Sequence, residues 1–242
     1  MHLYKTPFYF DALSIQDKQH SMKKYILLSF IIFKVSDCFA HIQHYSNLKK
    51  LQFDIQRNGN YVGFHKIKFE RSDNGYLKVT NVIDFNIKKF GINFYKYTSL
   101  GKEKYNSKGK LVAFESKTND NGRAKFCTIK LENSIYKVYG TNYKGFISSA
   151  FRLSSYWNHE ILTVSKQVSG ITCRVLDQKV KFIKNEKFKS MNKVFNTSVY
   201  DIKGEKLNTQ VWYDEKTKMI VYQVLHKKGK WDYELKNYKL IK

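Results

Sequence analysis

The stretch Leu77-Lys78-Val79-Thr80-Asn81-Val82-Ile83-Asp84-Phe85-Asn86-Ile87 decides the fold, because apolar and polar side chains alternate along it. In an extended strand, successive side chains point to opposite faces. One face then carries the apolar members Leu77, Val79, Ile83, Phe85 and Ile87. A helix would instead need apolar residues every three or four positions. The stretch therefore predicts a β-strand with one face in the core.

Similar alternating segments recur along the chain, separated by turn residues every 8–12 positions. Asn58-Gly59 and Asn121-Gly122 are the strongest hairpin signals, because a tight hairpin turn needs residues that accept a positive φ. Gly63 lies inside a predicted strand and indicates a bulge or a close approach of two backbones. With about a dozen strands and no long helical period, the sequence predicts an all-β antiparallel meander.

A sheet with few helices to cover it must cover its own apolar face. We therefore expect a strongly curved meander forming a barrel or half-barrel. The residues predicted inside it are Phe53, Ile55, Val79, Ile83, Phe85, Phe94 and Val211. A transmembrane barrel alternates in the same way, but lipid would penalise lysines at mid-strand by about 2–4 kcal/mol each. Such lysines occur at Lys66, Lys78, Lys137 and Lys181, which disfavours that alternative.

Residues 22–40 have the organisation of a secretory signal peptide that precedes the β domain as a helix. Met22-Lys23-Lys24 is basic, the next nine residues are apolar, and a short polar tail ends at Ala40. The apolar run is too short to span a bilayer. A short buried helix is the alternative. Residues 1–21 are then an upstream extension, Met22 is the true start, and residues 41–242 form a single exported domain, which we expect in the periplasm of a Gram-negative bacterium.

The charge of the chain is strongly positive, at +24. The first 40 residues carry five Lys and three Asp, so the rest keeps a net charge of +22. Such a balance usually indicates nucleic acid or an anionic surface as the partner. Only five of the 44 basic residues are Arg, however, and Arg is the side chain preferred for reading bases. We therefore expect no nucleic acid, and retain an anionic membrane surface or lipoglycan as a partner.

Two cysteines, Cys127 and Cys173, lie in the predicted domain, each at an alternating position of a predicted strand. An oxidising compartment permits a disulfide between them. Pairing also requires Cα atoms within about 7 Å, which spacing along the chain does not establish. Two separate buried thiols are equally compatible with the sequence.

The alternation lapses around Ser154-Ser155-Tyr156-Trp157-Asn158-His159-Glu160, where aromatic, amide, imidazole and carboxylate side chains adjoin. The sequence contains no recognised catalytic motif, so His159 as general base with Glu160 is the only candidate acid–base pair. Adjacent residues do not normally aim at one point. We favour a structural interpretation, in which Tyr156 and Trp157 plug one end of the barrel and Asn158 caps a turn.

Histidines elsewhere suggest no site. His41 and His44 could supply half of a metal site, but they lie at the start of the predicted mature chain, where segments are usually loose. His65 alternates with apolar residues and is predicted as a core or rim histidine. We therefore predict no metal and no cofactor.

Several stretches together resemble a known family. They are residues 84–97, residues 57–65, Thr118-Asn119-Asp120-Asn121-Gly122, Ser155-Tyr156-Trp157-Asn158, and Trp212-Tyr213-Asp214 with the closing hairpin at residues 229–235. They resemble a bacterial envelope family, the domain-of-unknown-function family numbered six-one-three-four. The resemblance covers nearly all of the chain after residue 40. It implies an exported, single-domain, all-β protein and implies no particular activity.

The predicted function is a non-enzymatic binding or carrier domain for an apolar or lipid-like envelope molecule. A curved sheet has an apolar inner face that can leave a cavity at its mouth. Aromatic residues form 16% of the chain and suit such ligands. The predicted ligand-binding residues are Tyr156, Trp157, Asn158, Phe94 and Tyr97. The alternatives are an envelope scaffold that binds other proteins and a hydrolase-type enzyme using His159 and Glu160.

Overall fold

The computed structural model describes residues 44–241. The predicted signal peptide at residues 22–40 and the upstream extension at residues 1–21 lie outside the described residues. Within residues 44–241 the chain is all-β, with one large antiparallel sheet of thirteen strands and a small sheet of three. The prediction of an all-β antiparallel fold is therefore confirmed.

The first arm of the large sheet is a meander in which each strand pairs antiparallel with the next. Its strands are β1 (Leu48–Arg57), β2 (Asn60–Arg71), β3 (Leu77–Lys89), β4 (Ile92–Tyr105), β5 (Leu111–Asp120), β6 (Arg123–Glu132), β7 (Ile135–Gly140) and β8 (Tyr143–Ile147). The alternating stretch at residues 77–87 is most of β3, and its register matches Leu77 with Tyr105 of β4 at one end and Ile87 with Tyr95 at the other.

The second arm is a meander of five strands that joins the first arm edge to edge. Its strands are β12 (Lys179–Ser190), β13 (Lys193–Gly204), β14 (Leu207–Asp214), β15 (Ile220–His226) and β16 (Lys230–Leu240). β16 pairs antiparallel with β1, so the two arms form one continuous sheet. The outermost strands, β8 and β12, do not pair with each other in the described part of the chain. The curved sheet is thus a half-barrel.

The segment between β8 and β12 links the two arms. It contains β9 (Arg152–Leu153), a 3-10 helix (His159–Thr163), β10 (Lys166–Val168) and β11 (Val175–Asp177). Cys173 of this segment is bonded to Cys127 in β6 by a disulfide, with Cα atoms 4.9 Å apart. At its other end, the Asp177 carbonyl lies so close to Gly204 of β13 that a Cβ there would be 2.2 Å from it. We call residues 148–178 the insert.

The tight turns follow the glycine signals of the sequence. Asn58 and Gly59 have φ of 49° and 83°, and Asn121 and Gly122 have φ of 51° and 84°. These positive values are the ones that a type I′ hairpin turn requires. The close approach predicted at Gly63 is also confirmed, since a Cβ there would lie 2.1 Å from a backbone oxygen of β3. A register shift of the β1–β2 pair lies beside it.

The core lies on the inner face of the half-barrel, between the sheet and the insert. Its main cluster contains Phe53, Val79 and Val211, each with an exposed fraction of 2% or less. A smaller cluster contains Ile55 and Phe85 with Tyr97, and the partly buried Ile83 packs against it. The inward face predicted for β3 is therefore the face that contacts the core.

Two details of the prediction are wrong. Phe94 is 67% exposed rather than buried. In β4 the odd-numbered residues face inward, as the buried Tyr97 and Tyr105 show, so Phe94 must face outward. Cys173 does not lie in a strand, because its φ is +60°, a left-handed conformation that ends extended pairing. β11 begins two residues later.

Candidate functional site

Trp157 occupies the centre of the core and has no exposed surface. Its indole meets the rings of Tyr45, Phe69 and Tyr105 edge-on, with centroids 5.2, 5.2 and 5.7 Å away. Edge-to-face contacts of this kind are the favoured geometry for aromatic pairs. The insert therefore plugs the half-barrel with Trp157, as the structural interpretation of this stretch predicts.

A buried carboxylate receives the polar edge of Trp157. Glu103 of β4 is 1% exposed. It accepts hydrogen bonds from Trp157 Nε1 at 3.1 Å, from Asn81 Nδ2 at 2.8 Å and from the Tyr105 hydroxyl. Asn81 in turn accepts from Nε2 of His65 at 3.3 Å. Side chains from three neighbouring strands and the insert thus form one polar network inside an apolar core.

The core shifts the pKa of three titratable members of this network, and burial together with the neighbouring Glu103 raises the pKa of Tyr105 well above its ordinary value. Burial raises the pKa of the Glu103 carboxyl above its ordinary value, against the lowering effect of its hydrogen-bond donors. Burial lowers the pKa of His65 to about 4, against a smaller raising effect of its bond to Asn81. Desolvation disfavours whichever form carries charge, which is why an acid and a base shift in opposite directions.

Sequence reasoning missed Glu103, although a signal for it exists. Glu103 shares its side of β4 with Tyr97, six positions before it, and with Tyr105, two positions after it. A carboxylate at an inward position of an aromatic strand must find donors or be protonated. That alternation could have marked Glu103 as a buried acid.

His159 and Glu160 turn toward different partners. The Glu160 carboxylate accepts from Arg152 Nε at 2.8 Å. His159 Nδ1 lies 3.0 Å from the hydroxyl of Tyr45. Asn158 caps the 3-10 helix by accepting from the Glu160 backbone N–H, which confirms the predicted capping role. The hydrogen bonds of this stretch thus position the insert and do not aim an imidazole and a carboxylate at one point.

The predicted ligand-binding residues do not come together. Trp157 and Asn158 are buried in the insert, while Phe94 is exposed near the turn between β3 and β4. Tyr97 is 7% exposed and stacks on Phe85 with ring centroids 4.8 Å apart. Tyr156 is partly buried and donates its hydroxyl to Gln167. The ligand-binding role of these five residues remains a prediction.

The interior of the half-barrel leaves little space. A cavity of about 10 Å³ lies beside His65, Ser155, Gln223 and Tyr233. One water needs about that volume, together with polar partners of the kind these side chains offer.

A larger concave surface lies elsewhere, around β2–β6. It has a volume of about 770 Å³, within the range of ordinary ligand sites. Its walls include the turn between β2 and β3, with Tyr76, and the exposed side chains of Lys78, Lys104 and Lys130. We call this surface the lysine trough.

The strand registers explain why lysines converge there. Lys78 of β3 stands opposite Lys104 of β4, Lys104 opposite Ala113 of β5, and Ala113 opposite Lys130 of β6. Directly opposed residues of adjacent strands share one face, so these side chains form a row across the sheet. Lys104 also lies over the Tyr76 ring, 5.1 Å from its centroid.

The trough combines positive charge with apolar surface. Five basic residues line it, against the exposed carboxylates of Glu70 and Glu115 and the buried Glu103. Lys102 pairs with Glu115 at 3.2 Å. The small alanine at position 113 leaves room between the two lysines that flank it. Lysine stems present apolar surface while their ammonium groups remain in water, so the wall suits a molecule that has both apolar and acidic parts.

Other kinds of site find no support in the described residues. Within residues 44–241 no group of three or more His, Cys, Asp or Glu side chains could hold a metal ion. In the same part of the chain, no helix has the length and apolar character needed to cross a membrane.

These features define a half-barrel of antiparallel strands with a filled interior and a basic trough on its sheet. A similar overall fold occurs in the crystal structure of a beta-barrel-like protein of domain of unknown function DUF1849 from Brucella abortus. The two match with a TM-score of 0.59 and 8% sequence identity over 81% of this chain and 98% of the other, which shows a shared fold.

The sequence itself places the chain in a family. The model of the domain of unknown function DUF6134 matches residues 53–236, so the chain belongs to that family. The resemblance drawn from the sequence stretches is therefore confirmed. A search of curated proteins finds no match.

Proposed function

We propose that this chain is a non-enzymatic binding domain of the cell envelope that holds a lipid-like molecule with an acidic headgroup in the lysine trough. The observation that carries the proposal is the trough itself, about 770 Å³ in volume and lined by five basic side chains. Ammonium groups of Lys78, Lys104 and Lys130 can pair with an acidic headgroup, and their stems with Tyr76 can contact an acyl chain.

The filled interior decides where such a ligand would bind. A carrier that encloses its ligand needs an empty inner cavity, and here Trp157 and its aromatic neighbours occupy that space. The ligand would therefore lie on the sheet surface in the trough. This differs from the sequence-based expectation that Phe94 and Tyr97 contact the ligand.

An exported location fits the chemistry of the domain. The Cys127–Cys173 disulfide supports an oxidising compartment, because cytosolic thiols are kept reduced. The predicted signal peptide at residues 22–40 supports the same location, and we propose the periplasm. There, the net charge of +22 that follows residue 40 would attract anionic lipids.

A scaffold that binds other proteins is the second candidate, and the filled interior favours it. A hydrolase-type enzyme has less support, because Glu160 pairs with Arg152 while His159 contacts Tyr45. The experiment below separates lipid binding from a scaffold role.

The test measures binding of dihexanoyl phosphatidylglycerol, kept monomeric in solution, by isothermal titration calorimetry. Dihexanoyl phosphatidylcholine serves as the uncharged comparison. We expect saturable binding of the anionic lipid. Lys104→Glu combined with Lys130→Glu should weaken it by about thirtyfold, since each lysine near an anionic group contributes about 1 kcal/mol.

The matched control is Lys187→Glu with Lys189→Glu, which makes the same charge change on exposed residues of β12 outside the trough. It should bind like the wild type. Equal losses in both double variants would mean that net charge alone is responsible and would contradict a site in the trough. No saturable binding by the wild type would favour the scaffold.

A further inference from the structure

The turn between β3 and β4 contains a residue that the fold does not explain. Phe90 and Gly91 form this two-residue turn, with φ of 51° and 77°. Both values are left-handed, as in a type I′ turn. The side chain of Phe90 is 92% exposed, so it contributes almost no packing to the domain.

Phenylalanine is an unfavourable residue at this position of the turn. A left-handed φ crowds a bulky side chain against its own backbone, and Asn, Asp or Gly normally fills the position. Two comparable turns of this sheet use asparagine, at Asn58-Gly59 and Asn121-Gly122, and a third uses Met191, whose side chain packs against the core. The Phe90 ring contacts the exposed Lys89, whose ammonium lies 5.6 Å from its centroid, and contributes nothing to the core. Strain that core packing does not offset indicates a role outside the folded domain.

Two further apolar residues accompany Phe90 at the same end of the sheet. Ile92 is 73% exposed and Phe94 is 67% exposed. They lie two residues apart in β4, on the face directed away from the core. Three large apolar side chains thus project into solvent from one hairpin end.

Basic residues surround these apolar side chains. Lys88, Lys89 and Lys96 are all exposed, and Lys89 stands directly opposite Ile92. Arg57 at the end of β1 and Arg123 at the start of β6 add more positive charge near Tyr95. Burial and a hydrogen bond to Asp120 raise the pKa of Tyr95 to about 12, and the charges of Arg123 and Arg57 act on it in the opposite direction.

We propose that this hairpin end docks the protein on an anionic bilayer, with Phe90, Ile92 and Phe94 inserted at the interface and Lys88, Lys89 and Lys96 bound to lipid headgroups. Apolar and aromatic side chains flanked by lysines are the combination that binds an anionic membrane surface. We call these six residues the tip.

A bilayer fits the tip better than a protein partner does. A specific protein interface buries about 800 Å² on each partner, contributed by some 20–30 residues. The tip offers three apolar side chains on one narrow hairpin, enough to enter a lipid interface and too few for such an interface. Its lysines also match the negative surface potential of anionic lipids.

The tip and the lysine trough are separate features. β3 runs from Leu77, which lines the trough, to Lys89 at the tip. At about 3.3 Å per residue, this strand of 13 residues spans about 40 Å. A protein docked by its tip would hold the trough away from the bilayer, so either proposal can fail without the other.

The experiment uses vesicle co-sedimentation of the protein purified from its native envelope. One set of vesicles contains phosphatidylglycerol and phosphatidylethanolamine, and the other contains phosphatidylcholine alone. We expect the wild type to partition onto the anionic vesicles and to leave them at high salt. Phe90→Asn combined with Phe94→Ser should lower this partitioning about tenfold or more.

Loss of vesicle binding in the tip variant can be distinguished from a failure of that variant to fold. Asn at position 90 suits the left-handed turn better than Phe does, so Phe90→Asn should melt at or above the wild-type temperature. Phe146→Ser is the matched control, because Phe146 is a 57% exposed aromatic residue of β8 outside the tip. It should partition like the wild type. In a Phe94→Trp variant the new indole fluorescence should shift to the blue on anionic vesicles.

Four results would overturn the proposal. The wild type could fail to bind the anionic vesicles, or could bind phosphatidylcholine equally well. The Phe90→Asn, Phe94→Ser variant could bind as tightly as the wild type. Loss of vesicle binding in the Lys104→Glu, Lys130→Glu variant but not in the tip variant would place membrane contact at the trough instead.

Discussion

The indole Nε1–H of Trp157 lies 3.1 Å from each carboxylate oxygen of Glu103, although the two residues are 54 positions apart in the chain. This contact joins the insert to the middle of the first arm. Trp157 contributes a large apolar surface and also a donor that the buried carboxylate needs. A buried acid without donors would be strongly destabilising, so the two residues depend on each other.

Replacing Trp157 should separate these two contributions. We expect Trp157→Ala to lower the free energy of unfolding by about 3–5 kcal/mol, because it leaves a cavity in the core. Trp157→Phe keeps most of the volume and removes only the donor, so it should cost about 1–3 kcal/mol. Urea denaturation measures both, and a Trp157→Phe variant as stable as the wild type would contradict a role for the hydrogen bond.

Glu103 should make stability depend on pH in an uncommon direction for a carboxylate. Burial raises its pKa in the folded state, so the folded protein holds this proton more tightly than the unfolded chain does. The contribution of Glu103 to the free energy of unfolding is complete below its ordinary pKa of 4.5. This contribution is lost as the pH rises through the higher pKa of the folded state. Glu103→Gln cannot titrate and should lack this decline when urea midpoints are compared from pH 4.5 upward.

His65 should contribute a pH dependence of the opposite sign. Burial lowers its pKa from 6.5 to about 4 in the folded state, so the unfolded chain binds the proton first. Stability from this residue is therefore lost as the pH falls from 6.5 toward 4, by about 3 kcal/mol in all. His65→Gln should remove this loss. An NMR titration that gives His65 an ordinary pKa in the folded protein would contradict the prediction.

The disulfide should stabilise the domain substantially. It closes a loop of 46 residues, for which the chain-entropy model gives about 4 kcal/mol. We expect dithiothreitol to lower the melting temperature of the wild type and to leave a Cys127→Ala, Cys173→Ala variant unchanged. Thiol titration of the denatured, unreduced protein should detect neither cysteine. Two free thiols at these positions would exclude the bond.

Export predicts a defined amino terminus. If residues 22–40 direct secretion and are removed, the protein isolated from its native envelope begins at His41. Amino-terminal sequencing or intact mass measures this directly. A protein that still carries Met1 in the cytoplasm would contradict both the signal peptide and the envelope location.

The local features of this fold could be predicted because each has a short-range cause. The turns at Asn58-Gly59 and Asn121-Gly122 need a positive φ, which Asn and Gly accept. The alternation of apolar and polar residues in β3 indicates a strand with only one face against the core. The β16–β1 pairing could not be predicted in the same way, since no local signal selects which strands from distant parts of the chain will adjoin.

The errors at the site have equally physical causes. Phe94 was expected inside because of its size, but the register of β4 directs it outward. The buried position of Glu103 is hard to predict because carboxylates are usually exposed, and three donors make this one an exception. The lysine trough arises from cross-strand neighbours such as Lys78 and Lys104, which only the paired sheet brings together.

The seam between β1 and β16 has a consequence for the order of folding. Within each arm, pairing joins strands that follow one another in sequence, so these hairpins can form rapidly. The only proline is Pro7, so the hairpins do not wait for prolyl isomerisation. The seam joins residues as distant as Leu48 and Leu240 and must close late. Until it does, β1 and β16 are unpaired edges, and a newly made chain is then most prone to pair with another copy.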